Sequence, residues 1–104
     1  MIGIFKKLFS KGPKADLGEL IQNGALILDV RSAGEYSTGH IKGSVNIPVN
    51  VLQGKLQTLK KNRAIITCCA SGMRSASAVS ILKANGFSDV YNGGSWSSLK
   101  KYER

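Results

Sequence analysis

Short apolar runs alternate with stretches of helical periodicity along the 104 residues of this chain. Leu26 to Val30, Val45 to Ile47, Ala64 to Cys68 and Val90-Tyr91 are apolar and rich in β-branched residues, and they read as short buried strands. Leu17, Leu20 and Ile21 fit one face of a first helix, with Asp16 as its N-cap and Gly24 as its stop. Val51, Leu52, Leu56 and Leu59 line a helix after the second strand. Ser75 to Asn85, with Ala78, Val79, Ile81 and Leu82 on its apolar side, reads as a helix closed by Gly86. This alternation predicts an α/β fold: a small, mostly parallel sheet with helices on both faces. In such open sheets ligands bind beyond the carboxyl ends of the strands, where the segment after Cys68 falls.

A chain of this length makes one domain with a single core. Residues 1–14 read as a basic and apolar tail, and residues 15–104 as the domain itself. In the tail, Ile4, Phe5, Leu8 and Phe9 recur at helical spacing among lysines, over a stretch too short to span a membrane. Its charges follow the apolar residues, the reverse of a secretory signal. A tail ended by Gly12-Pro13 is the plainer reading, and a weak membrane-surface contact through residues 1–11 is the alternative.

The formal net charge of +9 comes from lysines and arginines in three groups. Lys6, Lys7, Lys11 and Lys14 lie in the tail, Lys55, Lys60, Lys61 and Arg63 precede the third strand, and Lys100, Lys101 and Arg104 close the chain. These are expected to be solvated faces whose field draws small anions and fades with salt. Nucleic acid is not an expected partner, since the basic residues are dispersed and no aromatic or helix-turn-helix pattern accompanies them. One histidine and two adjacent cysteines supply no metal-ligand set, so neither metal nor cofactor is expected. Adjacent thiols also make no disulfide framework, and a reducing, cytoplasmic setting is the expectation.

The chemistry concentrates in Cys68-Cys69-Ala70-Ser71-Gly72-Met73-Arg74-Ser75, between a strand and a helix. A short glycine-containing turn there aims backbone N–H groups inward, and the helix adds the positive end of its dipole, so a thiolate is stabilised. Counted from Cys69 the pattern is C-x-x-G-x-R; counted from Cys68 it is C-x5-R followed by Ser, which resembles the phosphate loop of protein tyrosine phosphatases. The shorter loop suits a single outer sulfur on the cysteine, and the longer one suits a tetrahedral oxyanion. Gly72 stands three residues after Cys69, the spacing at which the phosphatase pattern places a glycine after its own cysteine, and falls one position too late if counted from Cys68; Thr67 stands where that pattern has a histidine. Strand alternation turns one of two adjacent thiols away from the loop, and Cys68 reads as that packed residue.

Around this loop, Leu28-Asp29-Val30-Arg31, Glu35-Tyr36, Gly39-His40-Ile41, Gly43 and Asn46-Ile47-Pro48 resemble the first half of a rhodanese-like (sulfurtransferase) domain. Phe87, Val90-Tyr91-Asn92, Gly93-Gly94 and Trp96 resemble its close, so the resemblance runs from about Asp16 to about Trp96. It implies a single-domain thiosulfate sulfurtransferase with Cys69 as the catalytic nucleophile, carrying a persulfide. Ala70, Ser71, Gly72, Met73, Arg74 and Ser75 would form the loop that holds it, with Arg74 guiding an anionic donor such as thiosulfate. Cyanide or a thiol would accept the sulfur. Asp29, Arg31, Glu35 and His40 are expected to be structural supports, and Trp96 either walls the pocket or fills the core. Two further readings stay open: a persulfide carrier served by protein donors and acceptors, and a phosphatase or arsenate reductase acting through Cys68. The latter needs an aspartic general acid, and none of Asp16, Asp29 and Asp89 has an evident loop role.

Overall fold

The structure is a computed structural model that describes residues 15–103. Helix α1 (Leu17–Gln22) is capped by Asp16, whose carboxylate accepts the Glu19 N–H at 3.1 Å, and the chain leaves it through Gly24 at φ +98°. Strand β1 (Leu26–Asp29) leads to α2 (Ala33–Thr38), and β2 (Val45–Asn46) leads to α3 (Val49–Leu52), continued by a 3-10 segment over Gln53–Thr58. Strand β3 (Ile65–Cys69) feeds α4 (Met73–Ala84), and β4 (Val90–Ser95) is followed by a last 3-10 segment over Trp96–Tyr102.

All strand pairings are parallel, in the order β2-β1-β3-β4. The expected α/β architecture is therefore present, with apolar groups packed on both faces of the sheet. On one face Leu26, Leu28, Val30, Ile65 and Cys69 meet Leu52 of α3, Ala78 and Leu82 of α4, and Phe87. On the other, Ile27, Ile66 and Cys68 meet Ile41 and Leu99, with Leu17, Leu20, Ile21, Trp96 and Tyr102 packed around them. Because successive side chains of a strand point to opposite faces, Cys68 and Cys69 belong to different halves of the core.

Several boundaries differ from the sequence reading. Strand β3 begins at Ile65 and runs through Cys69 rather than ending at Cys68, because Cys69 still pairs with Ser95 of β4. Helix α4 starts two residues earlier than Ser75, at Met73, since Gly72 adopts φ +105° and turns the chain into the helix at once. The helix predicted from Val51, Leu52, Leu56 and Leu59 is only partly α-helical. Val51 is exposed, and Leu59 lies just past the 3-10 turn, in a stretch where Gly54 weakens α-helical propagation. Strand β4 reaches Ser95, well beyond Tyr91, and slips by one residue against β3 at Gly93-Gly94. Close approach requires glycine here: a Cβ on Gly93 would lie 2.8 Å from both Ile66 Cγ2 and the Thr67 carbonyl oxygen. The tail of residues 1–14, with its lysines and its apolar Ile4, Phe5, Leu8 and Phe9, lies outside the described residues, as does Arg104.

Candidate active site

Cys69 ends β3, and the four residues after it carry the chain into α4. Its Sγ accepts the Gly72 N–H at 3.0 Å and the Ser75 N–H at 3.3 Å, and the Ser75 hydroxyl lies 3.6 Å away. Ala70, Ser71 and Met73 are exposed around it, while Cys69 and Ser75 are buried. The loop therefore curls over the sulfur and aims its amides at it, at the N-terminus of a 12-residue helix.

The two thiols have opposite electrostatics. Burial raises the Cys69 pKa, but the Ser75 hydroxyl and the N–H groups of Ser75, Gly72 and Ser71 favour the thiolate more strongly, and the net shift is downward. Cys68 has no such donors. Burial, with the negative charge of Asp29, pushes its thiol up to about 12, and Arg31 offsets this only in part. Cys68 stays a packed thiol on the face opposite the loop.

Arg74 stands in the first turn of α4 and reaches across to α2. Its Nη1 and Nη2 donate to Glu35 Oε1 at 2.7 Å and Oε2 at 3.1 Å, with both side chains 39% exposed at the surface. Glu35 also closes a capping box on α2: Oε1 accepts the Ser32 N–H at 3.0 Å, and the Ser32 hydroxyl accepts the Glu35 N–H at 3.2 Å. Arg74 foremost, then the Ser32 N–H, holds the Glu35 carboxyl down to about 2.

Asp29 and Arg31 form a buried pair beneath this surface, with Nε and Nη2 of Arg31 donating to Oδ1 at 2.9 Å and Oδ2 at 2.7 Å. Arg31 Nη2 also donates to the Gly39 carbonyl at 2.7 Å, and its guanidinium stacks 4.6 Å from the Trp96 ring centroid. Trp96 packs into the second half of the core and against Gly39, where a Cβ would come within 3.2 Å of the indole. His40 is exposed, donates Nδ1–H to the Tyr36 carbonyl at 2.8 Å and stacks on the Tyr36 ring. Its hydrogen bond and its stacking are both with Tyr36, not with the cysteine loop. The structure thus brings Cys69, the loop residues, Arg74 and Glu35 together and sets His40 and Cys68 apart.

Two residues tie the loop to the sheet without having been singled out as site residues in the sequence. Asn92 Oδ1 accepts the Ser75 hydroxyl at 2.6 Å and the Gly94 N–H at 2.8 Å. Thr67 Oγ1 donates to the Ser75 carbonyl at 3.0 Å. The signal available for Asn92 was its place just before the Gly93-Gly94 pair. The basic run Lys60, Lys61 and Arg63 precedes β3, at the end of the sheet away from Cys69. The five residues of β3 span roughly 16 Å, further than the Debye length of about 8 Å at physiological salt, so these charges act weakly at the loop. Among the described residues no three His, Cys, Asp or Glu side chains cluster as metal ligands, and no helix is long and apolar enough to cross a membrane.

Comparison with known proteins places the chain in a family. The rhodanese-like domain family model matches residues 14–101. The chain is 34% identical over 74 residues to the thiosulfate sulfurtransferase GlpE of Ectopseudomonas mendocina, covering 71% of this chain and 68% of that one. It is 36% identical over 83 residues to the tRNA uridine(34) hydroxylase of Buchnera aphidicola, covering 73% of this chain but only 27% of the hydroxylase's length. Among solved structures, the human single-domain sulfurtransferase TSTD1 superposes with a TM-score of 0.75 at 27% identity, over 86% of this chain and 93% of its own.

Proposed function

The chain belongs to the rhodanese-like domain family, and we propose that residues 15–104 act as a sulfurtransferase that carries a sulfane sulfur as a persulfide on Cys69. The observation that carries this reading is the pair of backbone N–H groups, from Gly72 and Ser75, aimed at Cys69 Sγ. The same donors that lower the thiol pKa hold a negative sulfur one bond further out, by the logic of an oxyanion hole. With thiosulfate, the Cys69 thiolate attacks the outer sulfur, the S–S bond breaks, and its electron pair leaves with sulfite. One negative charge enters on Cys69 and one remains on the terminal persulfide sulfur. A second nucleophile, cyanide or a thiolate, then takes that sulfur and returns Cys69 as the thiolate.

No proton needs to be removed from a preformed thiolate, which agrees with His40 standing away from the loop. Arg74 is the cation that the loop itself carries, held in an ion pair with Glu35. The phosphatase reading finds less support, because Cys68 faces the opposite half of the core and its thiol is held protonated. Sulfur donors and acceptors are the partners this chemistry requires, whether small molecules or other proteins, and a reducing cytoplasmic setting keeps the thiol available.

Intact-mass spectrometry after incubation with thiosulfate tests the reading. One added sulfur on the wild type and on Cys68→Ser, absent from Cys69→Ser and discharged by cyanide, is the expected result. An adduct that survives in Cys69→Ser overturns it.

A further inference from the structure

Glu35 makes no hydrogen bond to Cys69 or to the Gly72 and Ser75 amides that hold its sulfur, yet it pairs with Arg74, the arginine of the loop. The pair is bidentate, at 2.7 and 3.1 Å, and it engages two of the guanidinium's five N–H groups along the edge that would clamp two oxygens of an anion. Glu35 is not free to swing aside at no cost, since Oε1 also accepts the N–H of Ser32 and completes the cap of α2. Its carboxylate is ionised throughout the physiological range and cancels the charge of Arg74. The Lys60, Lys61 and Arg63 run at the far end of β3 does not replace that charge. A dianion drawn to Arg74 therefore meets a fixed carboxylate, whereas a donor of lower charge meets a neutral ion pair.

We propose that Glu35 is a specificity-determining residue that sets the site against dianionic donors, favouring a sulfane sulfur that carries at most one negative charge, as in an organic persulfide or thiosulfonate. This rests on the persulfide chemistry of Cys69 and names its donor class. For a persulfide R–S–SH, the Cys69 thiolate attacks the outer sulfur, the S–S bond breaks, and RS⁻ leaves, so that one negative charge enters and one departs. For a thiosulfonate the leaving group is a sulfinate.

The test compares thiosulfate with benzenethiosulfonate, which offers the same sulfane sulfur with one fewer negative charge, on the wild type and on Glu35→Gln. Glutamine keeps one oxygen for the Ser32 N–H and for Nη1 of Arg74, and removes the charge together with the second acceptor, Oε2, that takes Nη2. The expected result is a rise of about tenfold in kcat/KM for thiosulfate, mostly through KM, with benzenethiosulfonate changed by less than about twofold. Equal changes with both donors, or a fall with thiosulfate, would show that Glu35 only positions Arg74 and would overturn the proposal. The wild type gives a second reading that needs no variant. It should favour benzenethiosulfonate over thiosulfate by about tenfold more than free cysteine thiolate does, and an equal preference overturns the proposal. If neither donor places sulfur on Cys69 in either protein, the persulfide reading itself fails, an outcome distinct from unchanged selectivity.

Discussion

The Ser75 hydroxyl donates to Asn92 Oδ1 at 2.6 Å, and this bond fastens the closing strand β4 to the first turn of the helix that follows Cys69. Ser75 thus serves both sides of the loop: its N–H donates to Cys69 Sγ at 3.3 Å, and its hydroxyl, 3.6 Å from the same sulfur, has one proton that stabilises the thiolate only when it turns from Asn92 to the sulfur. Ser75→Ala removes the hydroxyl and leaves both amides in place. Alkylation of Cys69 by iodoacetamide at pH 7 should slow at least about threefold, with a stability loss of about 1 kcal/mol from the lost hydrogen bonds. An unchanged rate would assign the activation to the amides alone.

The two glycines of β4 should respond differently to alanine. At Gly93 the new methyl would sit 2.8 Å from Ile66 Cγ2 and from the Thr67 carbonyl, which is backbone and cannot turn away. Gly93→Ala should cost about 1–3 kcal/mol and shift the strand that supports Asn92, so sulfur transfer falls with stability. At Gly94 nothing lies within 4 Å, but φ is +78°, so Gly94→Ala should cost about 1–2 kcal/mol from backbone strain alone. Urea denaturation of both variants checks the order, and a Gly94 variant weaker than the Gly93 variant would contradict it.

These contrasts mark what was legible in the sequence. Strands of apolar, β-branched residues separated by helical patterns were enough for a parallel α/β sheet, because fully buried strands leave little else for Leu26 to Asp29 and Ile65 to Cys69 to do. The opposite fates of Cys68 and Cys69 followed from the two-residue period of a strand. Helix starts were less legible, because Gly72 takes φ +105° and a sequence does not state a dihedral angle. The full extent of β4 was hidden by Asn92-Gly93-Gly94-Ser95, which reads as a turn and pairs as a strand only because a one-residue slip seats Gly93 against β3. Glu35 read as a support, but its hold on Arg74 spans 39 positions and no local pattern points to it.

Asp29 and Arg31 supply a prediction about stability rather than chemistry. Asp29 is fully buried, takes Nε and Nη2 of Arg31 and accepts its backbone N–H at 3.1 Å. Asp29→Ala leaves a guanidinium buried without its charge partner and frees the chain at Gly39, which Arg31 otherwise ties to β1. The expected cost is about 3–5 kcal/mol, large enough to threaten folding of a domain this size. Replacing both, as Asp29→Leu with Arg31→Met, should cost less than the single change, since no buried charge is then stranded. Thermal melts of the single and double variants decide between a needed pair and a needed aspartate.

The two cysteines should separate cleanly with pH. Cys69, with its pKa below the ordinary thiol value, should react with iodoacetamide at a rate that rises about tenfold per pH unit and levels off below pH 9. Cys68, pushed up to about 12 and facing the core, should stay unlabelled in the folded protein, so the mass gains a single adduct across that range. The raised Cys68 pKa also has a sign for stability. The folded state resists ionisation of this thiol while the unfolded chain does not, so the contribution is whole below pH 9 and is lost as pH climbs towards 12. Cys68→Ala should therefore lose less melting temperature than the wild type between pH 9 and 11. Equal losses in both proteins, or a second adduct on the folded wild type at pH 8, would mean that Cys68 is neither as buried nor as protonated as its surroundings require.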